Sequence, residues 1–312
     1  KINLLITLDC GTSSLDIFNK DLSKKISTII IDHHVSEMNL PNVYSIINPN
    51  RHDEKNDYKN LAAVGVTFMF LIGLRRYLRE NNFYINNNFN EQNLTSYLDL
   101  VALGTVCDVV PITDLNRAFV KKGLEIIHKR SNKGISTLID ISNIRHKPNV
   151  TDLSFNLGPK LNAASRIGDS RLASKVLFSK NLDEIESICR KLKLLNEKRK
   201  IVEESILIEA RDQALKQVNK KIIIVYAFNW HDGVLGIVAS KLVDEFLKPT
   251  IVISKKEYDA VGSARSIDGF DLGSLIIMAK QAGILIRGGG HKMAAGLKIN
   301  NNKINTFIDF ID

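Results

Sequence analysis

The sequence predicts an α/β protein built as two α/β domains joined by a long connecting helix. Three observations carry this. Short all-apolar runs, LLITL (4–8), TIII (28–31) and VYSII (43–47), alternate with helix-length segments over the first part of the chain, the pattern of a parallel sheet covered on both faces. Residues 181–219 keep Ile185, Ile188, Leu192, Leu195, Val202 and Ile206 on one helical face, opposite a charged NEKRK at 196–200. A fresh strand, KKIIIVYAF (220–228), then opens a second series of strands. The expected organisation is a first domain over 1–180, the connecting helix over 181–219 and a second domain over 220–312.

Each element has a local reason. LLITL reads as a buried strand running out at Asp9, Cys10 and Gly11, TIII as one ending at Asp32, and VYSII as one closed by the turn residues Asn48, Pro49 and Asn50. Helices follow at about 61–80 and 94–103. Between them NNFYINNNFNEQN (81–93), Asn-rich and aperiodic, reads as a surface insertion. Asn181 with Glu184 three residues later resembles a capping box at the start of the long helix. Beyond KKIIIVYAF, further strands are expected at TIVIS (250–254) and at 259–264.

Composition sets the broad class. The chain has 312 residues, 44% hydrophobic and 25% charged, enough to bury a real core. Its net charge of +9 permits an anionic partner such as nucleic acid without proving one. Cys10, Cys107 and Cys189 are odd in number and widely spaced, which fits neither a disulfide framework nor a zinc site and points to the reducing cytoplasm. The longest apolar run, LAAVGVTFMFLIGL (61–74), falls short of the roughly 20 residues a bilayer span needs. The chain opens directly on KINLLITLDCG, without a signal peptide or an initiator Met. It reads as starting inside a domain, with earlier strands expected upstream.

Ligands of parallel sheets collect at the carboxyl ends of the strands, so Asp9 and Asp32 are expected side by side on one edge. With His33 and His34 they offer carboxylate and imidazole donors, a set that suits Mn²⁺, Mg²⁺ or Fe²⁺ better than structural zinc. If the strand continues through 32–34, His33 and His34 point to opposite sides, one toward a metal and the other toward substrate or an acid. Asp108, embedded in LGTVCDVVPITDLNR (103–117) among Val106, Cys107, Val109 and Val110, needs a metal, a salt bridge or a helix cap, since burial otherwise forces a carboxyl neutral. Asp114 reads as a cap or turn residue.

Anion donors gather further on. LGPKLNAASRIGD (157–169), loop-like at its start, offers Arg166 to a phosphate or to an ordinary salt bridge. NWHDGVLGIVASKL (229–242) sets Trp230, His231 and Gly233 in a turn entering a helix. VGSARS (261–266) places Ser263 and Arg265 on one face of an extended segment. RGGGHKMAAG (287–296) brings Gly289, Gly290 and His291, with the glycines free to form an anion-holding nest. Acids and His in the first domain and phosphate donors in the second would suit metal-assisted hydrolysis of a phosphoester in a cleft between them.

Taken in order, DHH (32–34), LGTVCDVVPITDLNR, GPKLNAASRIGD, LNEKRKIVEE (195–204), WHDGVLGIVASKL and GGGHKMAAG (288–296) resemble the RecJ-type single-strand-specific exonucleases of the DHH phosphoesterase superfamily, over essentially the whole chain. The resemblance implies a parallel-sheet DHH domain and a smaller DHH-associated mixed-sheet domain around a groove that threads single-stranded DNA. It implies two Mn²⁺ or Mg²⁺ ions, 5′→3′ release of 5′-mononucleotides, and a role in DNA repair and recombination. By resemblance Asp9, His33 and Asp108 match metal ligands and Asp32 orients its neighbours. His34 meets the scissile phosphate, and Arg166, Ser263, Arg265, Gly289, Gly290 and His291 hold the strand. A monomer working with a single-strand-binding protein and a helicase, and away from membranes, is implied as well. Three departures stand out. The DxD motif that supplies further metal-site acids would have to precede Lys1. The usual C-terminal oligonucleotide-binding barrel has no room after GGGHKMAAG. Lys160 and Ser165 replace the more usual Arg and Gly, with Ser165 expected to crowd a tight turn. Two other readings stand beside this one: an oligoribonuclease or nucleotide phosphatase of the same superfamily, and a catalytically dead strand-binding remnant if the protein begins at Lys1.

Overall fold

The computed structural model describes residues 2–18, 26–36 and 38–311. It divides into two compact units, one of residues 1–159 and 175–189, the other of residues 160–174 and 190–312.

In the first unit β1 (Leu4–Leu8), β2 (Ser27–Ile31) and β3 (Ser45–Ile47) form a parallel sheet in that order, with a short α1 (Leu15–Phe18) after β1. The register pairs Leu8 with Ile31 and Ile31 with Ile47. The ladder then runs on, because the N–H of Asp9 donates to Ile31 O (2.9 Å) and that of Asp32 to Ile47 O (3.0 Å). Asp9, Asp32 and Asn48 therefore stand level at the carboxyl end of three adjacent strands.

The helices α2 (Ala63–Glu80), α3 (Phe83–Asn86), α4 (Leu98–Cys107), α5 (Asp114–His128) and α6 (Lys133–Ile141) follow. Ile31, Leu61, Val66, Phe68, Leu98, Val101 and Phe119 form the core between sheet and helices. The rings of Phe68 and Phe119 meet edge to face at 5.4 Å, a favoured aromatic geometry. α4 and α5 lie so close that a Cβ on Gly123 would stand 2.2 Å from Leu98 O. The Asn-rich 81–93 segment is exposed and holds only the single turn of α3, with Phe83 stacked on Phe89.

Two expectations fail here. β1 is not a buried strand: Leu4, Ile6 and Leu8 are 51, 45 and 53% exposed, because β1 is an edge strand and the residues on that face have no covering element among those described. The stretch expected to begin as a loop at 157–169 is helical, α7 (Gly158–Ile167), and continues from a π-helical segment, Asp152–Leu157. Ser165 lies exposed on that helix, its hydroxyl donating to Asn162 O, so it crowds no turn.

After α8 (Arg171–Phe178), α9 runs unbroken from Leu182 to Leu215, shorter at its C-terminal end than the sequence pattern implied. Asn181 Oδ1 caps it, accepting from the N–H groups of Asp183 and Glu184 (3.0 and 3.2 Å). The reciprocal half of a capping box is absent, since Glu184 bonds the Ser179 hydroxyl instead.

The second unit holds a mixed five-stranded sheet in the order β4-β5-β6-β8-β7, from β4 (Ile223–Phe228), β5 (Thr250–Lys255), β6 (Asp259–Arg265), β7 (Leu285–His291) and β8 (Ala294–Asn300). Only β4 and β5 are parallel. α10 (Leu235–Phe246) packs with α9 on one face, around Ile223, Val225, Val252, Val238 and Leu242. α11 (Leu272–Gln281) and α12 (Ile304–Ile311) cover the other, around Ile251, Ile253, Leu297, Ile299 and Phe307. The three consecutive glycines are strand residues of β7 and make no nest. Their register against Leu297, Gly296 and Ala295 of β8 fixes them in the ladder.

Candidate active site

The first unit gathers four of the expected residues at the carboxyl end of its sheet. Asp32 is 1% exposed and takes hydrogen bonds from four directions: the N–H groups of Thr12 (3.0 Å), His33 (2.8 Å) and His34 (3.3 Å), and His34 Nδ1 (2.7 Å). Burial alone would raise its pKa, but these donors outweigh burial and hold the carboxyl at about 2. Asp32 is thus a fixed anion that fastens the chain after β2 and sets the ring of His34.

By taking those N–H groups Asp32 also stops the strand. β2 ends at Ile31, and His33 and His34 do not point to opposite sides as a continuing strand would require. Their rings meet edge on, 4.8 Å apart.

His33 is the centre of the cluster. Its Nδ1 lies 3.2 Å from Leu61 O, which assigns the proton to Nδ1 and leaves Nε2 as the ligating nitrogen. Nε2 stands 3.4 Å from Asp9 Oδ1 and 3.5 Å from Asp108 Oδ2. Donors that share one first-row ion at its usual bond lengths lie about 3.0 to 3.5 Å apart, so these three atoms fit a common cation. One ligand atom each from Asp9, His33 and His34 also lies within 4.8 Å of the others. The electrostatics agree. Hydrogen bonding to Asp9, against the opposing effect of burial, and the charge of Asp108 raise the pKa of His33. Burial and the charge of Asp9 push Asp108 up despite His33 nearby. The corner is short of positive charge.

Asp108 is the C-terminal cap residue of α4, not an N-cap, and its N–H donates to Gly104 O (2.9 Å). Asp114 opens α5.

The scaffold of this corner is not legible in the sequence. Asn48 Nδ2 donates to Thr12 Oγ1 (3.0 Å) and His34 O (2.8 Å), and Asn50 Nδ2 to His33 O (2.7 Å) and Lys59 O (2.9 Å). Both asparagines read as turn formers, and only the parallel register shows that Asn48 faces Asp32.

The second unit brings together Arg166, Ser263 and Arg265. Arg166 Nη1 donates to Gly233 O (2.9 Å). Arg265 and Ser263 share a face of β6, and a Cβ on Gly236 of α10 would stand 3.0 Å from both Arg265 Nη2 and Ser263 Oγ. Burial and the charge of Arg166 lower the pKa of Arg265, while burial and the charge of Arg199 lower that of Arg166. Three guanidiniums therefore crowd one region. Arg199, itself buried, is held by Asn196 (3.0 Å) and Glu203, and Glu203 also takes Lys241 (2.7 Å). One carboxylate serves several cations, and the remaining positive charge is open to an anion. The network on α9 is hard to see in sequence, where NEKRK reads as a solvated face.

His291 ends β7, in register with Ala294 and through it with Arg265, and is exposed. Gly289 and Gly290 offer strand backbone. A Cβ on Gly290 would strike Ala294 O at 2.3 Å. Trp230 and His231 serve the fold: Trp230 is buried with Nε1 donating to Glu209 (2.7 Å), and His231 Nδ1 accepts from Gly233 N–H (3.1 Å) at the turn into α10.

Comparison with known proteins identifies the two domains. The model of the DHH family N-terminal domain matches residues 2–105 and that of the DHHA1 domain matches residues 219–312. The chain thus carries a DHH domain followed by a DHHA1 domain. Relatives at 33 to 35% identity are RecJ proteins. It is 35% identical, over 97% of its length, to the single-stranded-DNA-specific exonuclease RecJ of Escherichia coli and covers 54% of that protein. To RecJ of Bacillus subtilis it is 33% identical over 95% of its length, covering 36% of that protein. The crystal structure of RecJ in complex with Mn²⁺ from Thermus thermophilus superposes with a TM-score of 0.81 at 27% identity, over 99% of this chain and 44% of that one. The chain thus spans about half the length, or less, of these relatives. Among the described residues no helix is long and apolar enough to cross a membrane.

Proposed function

We propose that the protein is a metal-dependent 5′→3′ exonuclease that degrades single-stranded DNA to 5′-mononucleotides in DNA repair and recombination. The observation that carries this reading is the convergence of Asp9 and Asp108 on His33 Nε2 at 3.4 and 3.5 Å, in a chain whose relatives include single-stranded-DNA-specific exonucleases.

Asp9, His33 and Asp108 would hold Mn²⁺ or Mg²⁺. Bound there, the metal supplies a hydroxide at neutral pH and offsets phosphate charge. Asp32 anchors His34 through Nδ1, which fixes the ring and leaves His34 Nε2 to face the scissile phosphate. In the second unit Arg166, Ser263 and Arg265 bind phosphate. His291 and the backbone at Gly289 and Gly290 border the strand. The reading extends to a cytoplasmic monomer that works with a single-strand-binding protein and a helicase, supported by the resemblance of its motifs.

The test is digestion of a 3′-labelled single-stranded 30-mer by the full chain with Mn²⁺, with the duplex and the RNA of the same sequence as comparators. Expected are 5′-mononucleotides from the single strand and little from the duplex. Asp108→Ala should lose at least about 100-fold in turnover, the upper end of the cost of disturbing a ligand's support, with an unchanged circular dichroism spectrum. Full turnover in Asp108→Ala, or none in the wild type, would overturn the reading.

A further inference from the structure

The five-stranded sheet has two edges of different character. β7, at one edge, carries Arg287, His291 and three glycines, and its register shifts between Leu285 and Arg287. Charge and irregularity of that kind blunt a free edge. β4, at the other edge, consists of Ile223, Ile224, Val225, Tyr226, Ala227 and Phe228. An uninterrupted run of β-branched and aromatic residues, without charge, Pro or Gly, is prone to pair with another chain. β4 pairs with β5 in parallel, and Ile223 N–H donates to Pro249 O (2.9 Å) on that side. Alternate residues of such a strand turn their N–H and C=O to the same neighbour, so Ile224, Tyr226 and Phe228 present theirs to the outer edge.

α9 meets that edge with two side chains. Gln217 Oε1 accepts from Ile224 N–H (3.1 Å), and its Nε2 donates to Ile224 O (2.8 Å). Gln213 Oε1 accepts from Tyr226 N–H (3.0 Å), and its Nε2 donates to Tyr226 O (3.0 Å). A glutamine amide offers an acceptor and donors side by side, as a neighbouring backbone does. The spacings match, since four helical residues rise about 6 Å and two strand residues about 6.6 Å. Glu209, four residues before Gln213, continues the row by accepting from Trp230 Nε1 (2.7 Å). Ala210 and Ala214, both fully buried, let the helix lie close to the sheet. Lys248 Nζ fastens the turn between helix and strand, donating to Val218 O and to Lys220 O (2.7 Å).

We propose that Gln213 and Gln217 are an edge guard. Their amides stand where the backbone of a sixth strand would, and so keep the β4 of a second copy of the chain from pairing with this one. A second copy is the partner excluded because β4 can pair with itself. Two such apolar edges, set antiparallel, offer each other the same free groups at Ile224 and Tyr226. The guard works whatever the substrate, so it stands or falls apart from the proposed function.

The test combines Gln213→Met and Gln217→Met in the full chain. Methionine keeps the length and helix propensity of glutamine but bonds neither backbone group. Sedimentation velocity over a range of protein concentrations reads the mass, and circular dichroism reads the fold. The wild type should keep a constant mass. The folded double variant should rise with concentration to at least twice the mass of a single chain. Adding Phe228→Lys, which puts a charge on the opened edge, should return that variant to a single chain. A folded double variant that keeps the wild-type mass would overturn the guard, as would association that Phe228→Lys leaves unchanged. A wild type that associates until Phe228→Lys is introduced would show the edge already open and do the same. If the double variant loses its fold, Gln213→Met alone, which frees Tyr226, is read in the same way. Unfolding of that variant too would show that the glutamine holds the fold rather than guards the edge, and would overturn the proposal.

Discussion

At the scale of single residues, Asp32 decides the most. Its carboxylate fixes the N–H of Thr12, both His N–H groups and the His34 ring. Asp32→Asn keeps the shape but turns one acceptor oxygen into a donor facing other donors. Turnover on single-stranded DNA should fall about 10- to 100-fold, the usual cost of losing a ligand's orienting partner, and the Mn²⁺ concentration for half-maximal rate should rise. Wild-type kinetics in that variant would show that the anchor is dispensable. The residue types of this corner were legible in the sequence, because an acid and two imidazoles after an apolar strand have few other uses. Their orientations were not. The expectation that His33 and His34 oppose each other assumed a strand that continues, and the side chain of Asp32 ends it by competing for the backbone. Asn48 and Asn50 were invisible as site residues for a related reason. Their partners His34, Thr12 and His33 are 14 or more positions away in the chain.

Secondary-structure elements carry a second set of consequences. The π-helical segment before α7 begins at Asp152, which is 4% exposed and accepts from Asn149 N–H (3.0 Å), His146 Nε2 (2.9 Å) and Asn156 Nδ2 (3.0 Å). Burial works to raise its pKa, and the three donors together outweigh burial and lower it. A carboxyl with a folded-state pKa below its unfolded value gives its full stabilisation above the unfolded value, about 3.9, and loses it as pH falls through the folded value. Asp152→Asn should therefore cost about 1–3 kcal/mol at pH 7, and urea unfolding should show the gap to wild type narrowing as pH falls below the ordinary carboxylate range, about 3.9. A gap that stays constant would mean that shape, not charge, holds the segment.

Close backbone approach is the other theme at this scale. A Cβ on Gly233 would stand 2.2 Å from Arg166 O. Gly233→Ala should destabilise by roughly 1–3 kcal/mol and raise KM for single strands by displacing Arg166, measured by thermal unfolding and steady-state kinetics. Element identity was well encoded where periodicity ran long, as in α9. It was poorly encoded where small residues dominate. GPKLNAAS reads as a loop by composition yet is helical, and GGG reads as a nest yet is a strand, because neighbouring strands supply the register that local glycine freedom leaves open.

For the whole molecule, the proposed function together with the net charge of +9 and the crowding of Arg166, Arg199 and Arg265 predicts that phosphate attraction is the main source of affinity. Binding should weaken linearly in log[salt], by about 0.7 per phosphate contacted, and should depend little on base sequence. Titrations with thymidine and mixed-sequence 20-mers at several salt concentrations check both, and a salt-independent affinity would contradict the phosphate-based account. Fold class followed from strand and helix alternation, since that pattern is a sum over many residues. The exposure of Leu4, Ile6 and Leu8 did not, because an apolar run looks the same whether or not another element covers it.

The His33 corner is held by the protein's own groups, with Leu61 O bonded to His33 Nδ1 and Asn50 Nδ2 donating to His33 O. A corner fastened by its own hydrogen bonds should keep its shape when a metal leaves, unlike small domains that fold only around one. A chelator should abolish turnover while the circular dichroism spectrum stays that of a folded protein, and added Mn²⁺ should restore the rate. Occupancy then becomes a matter of exchange with the surroundings. A carboxylate-rich site of this kind discriminates weakly among divalent ions, and those later in the affinity series, zinc included, would compete for it. The working fraction of the protein would follow the manganese supply of the cell rather than the fraction folded.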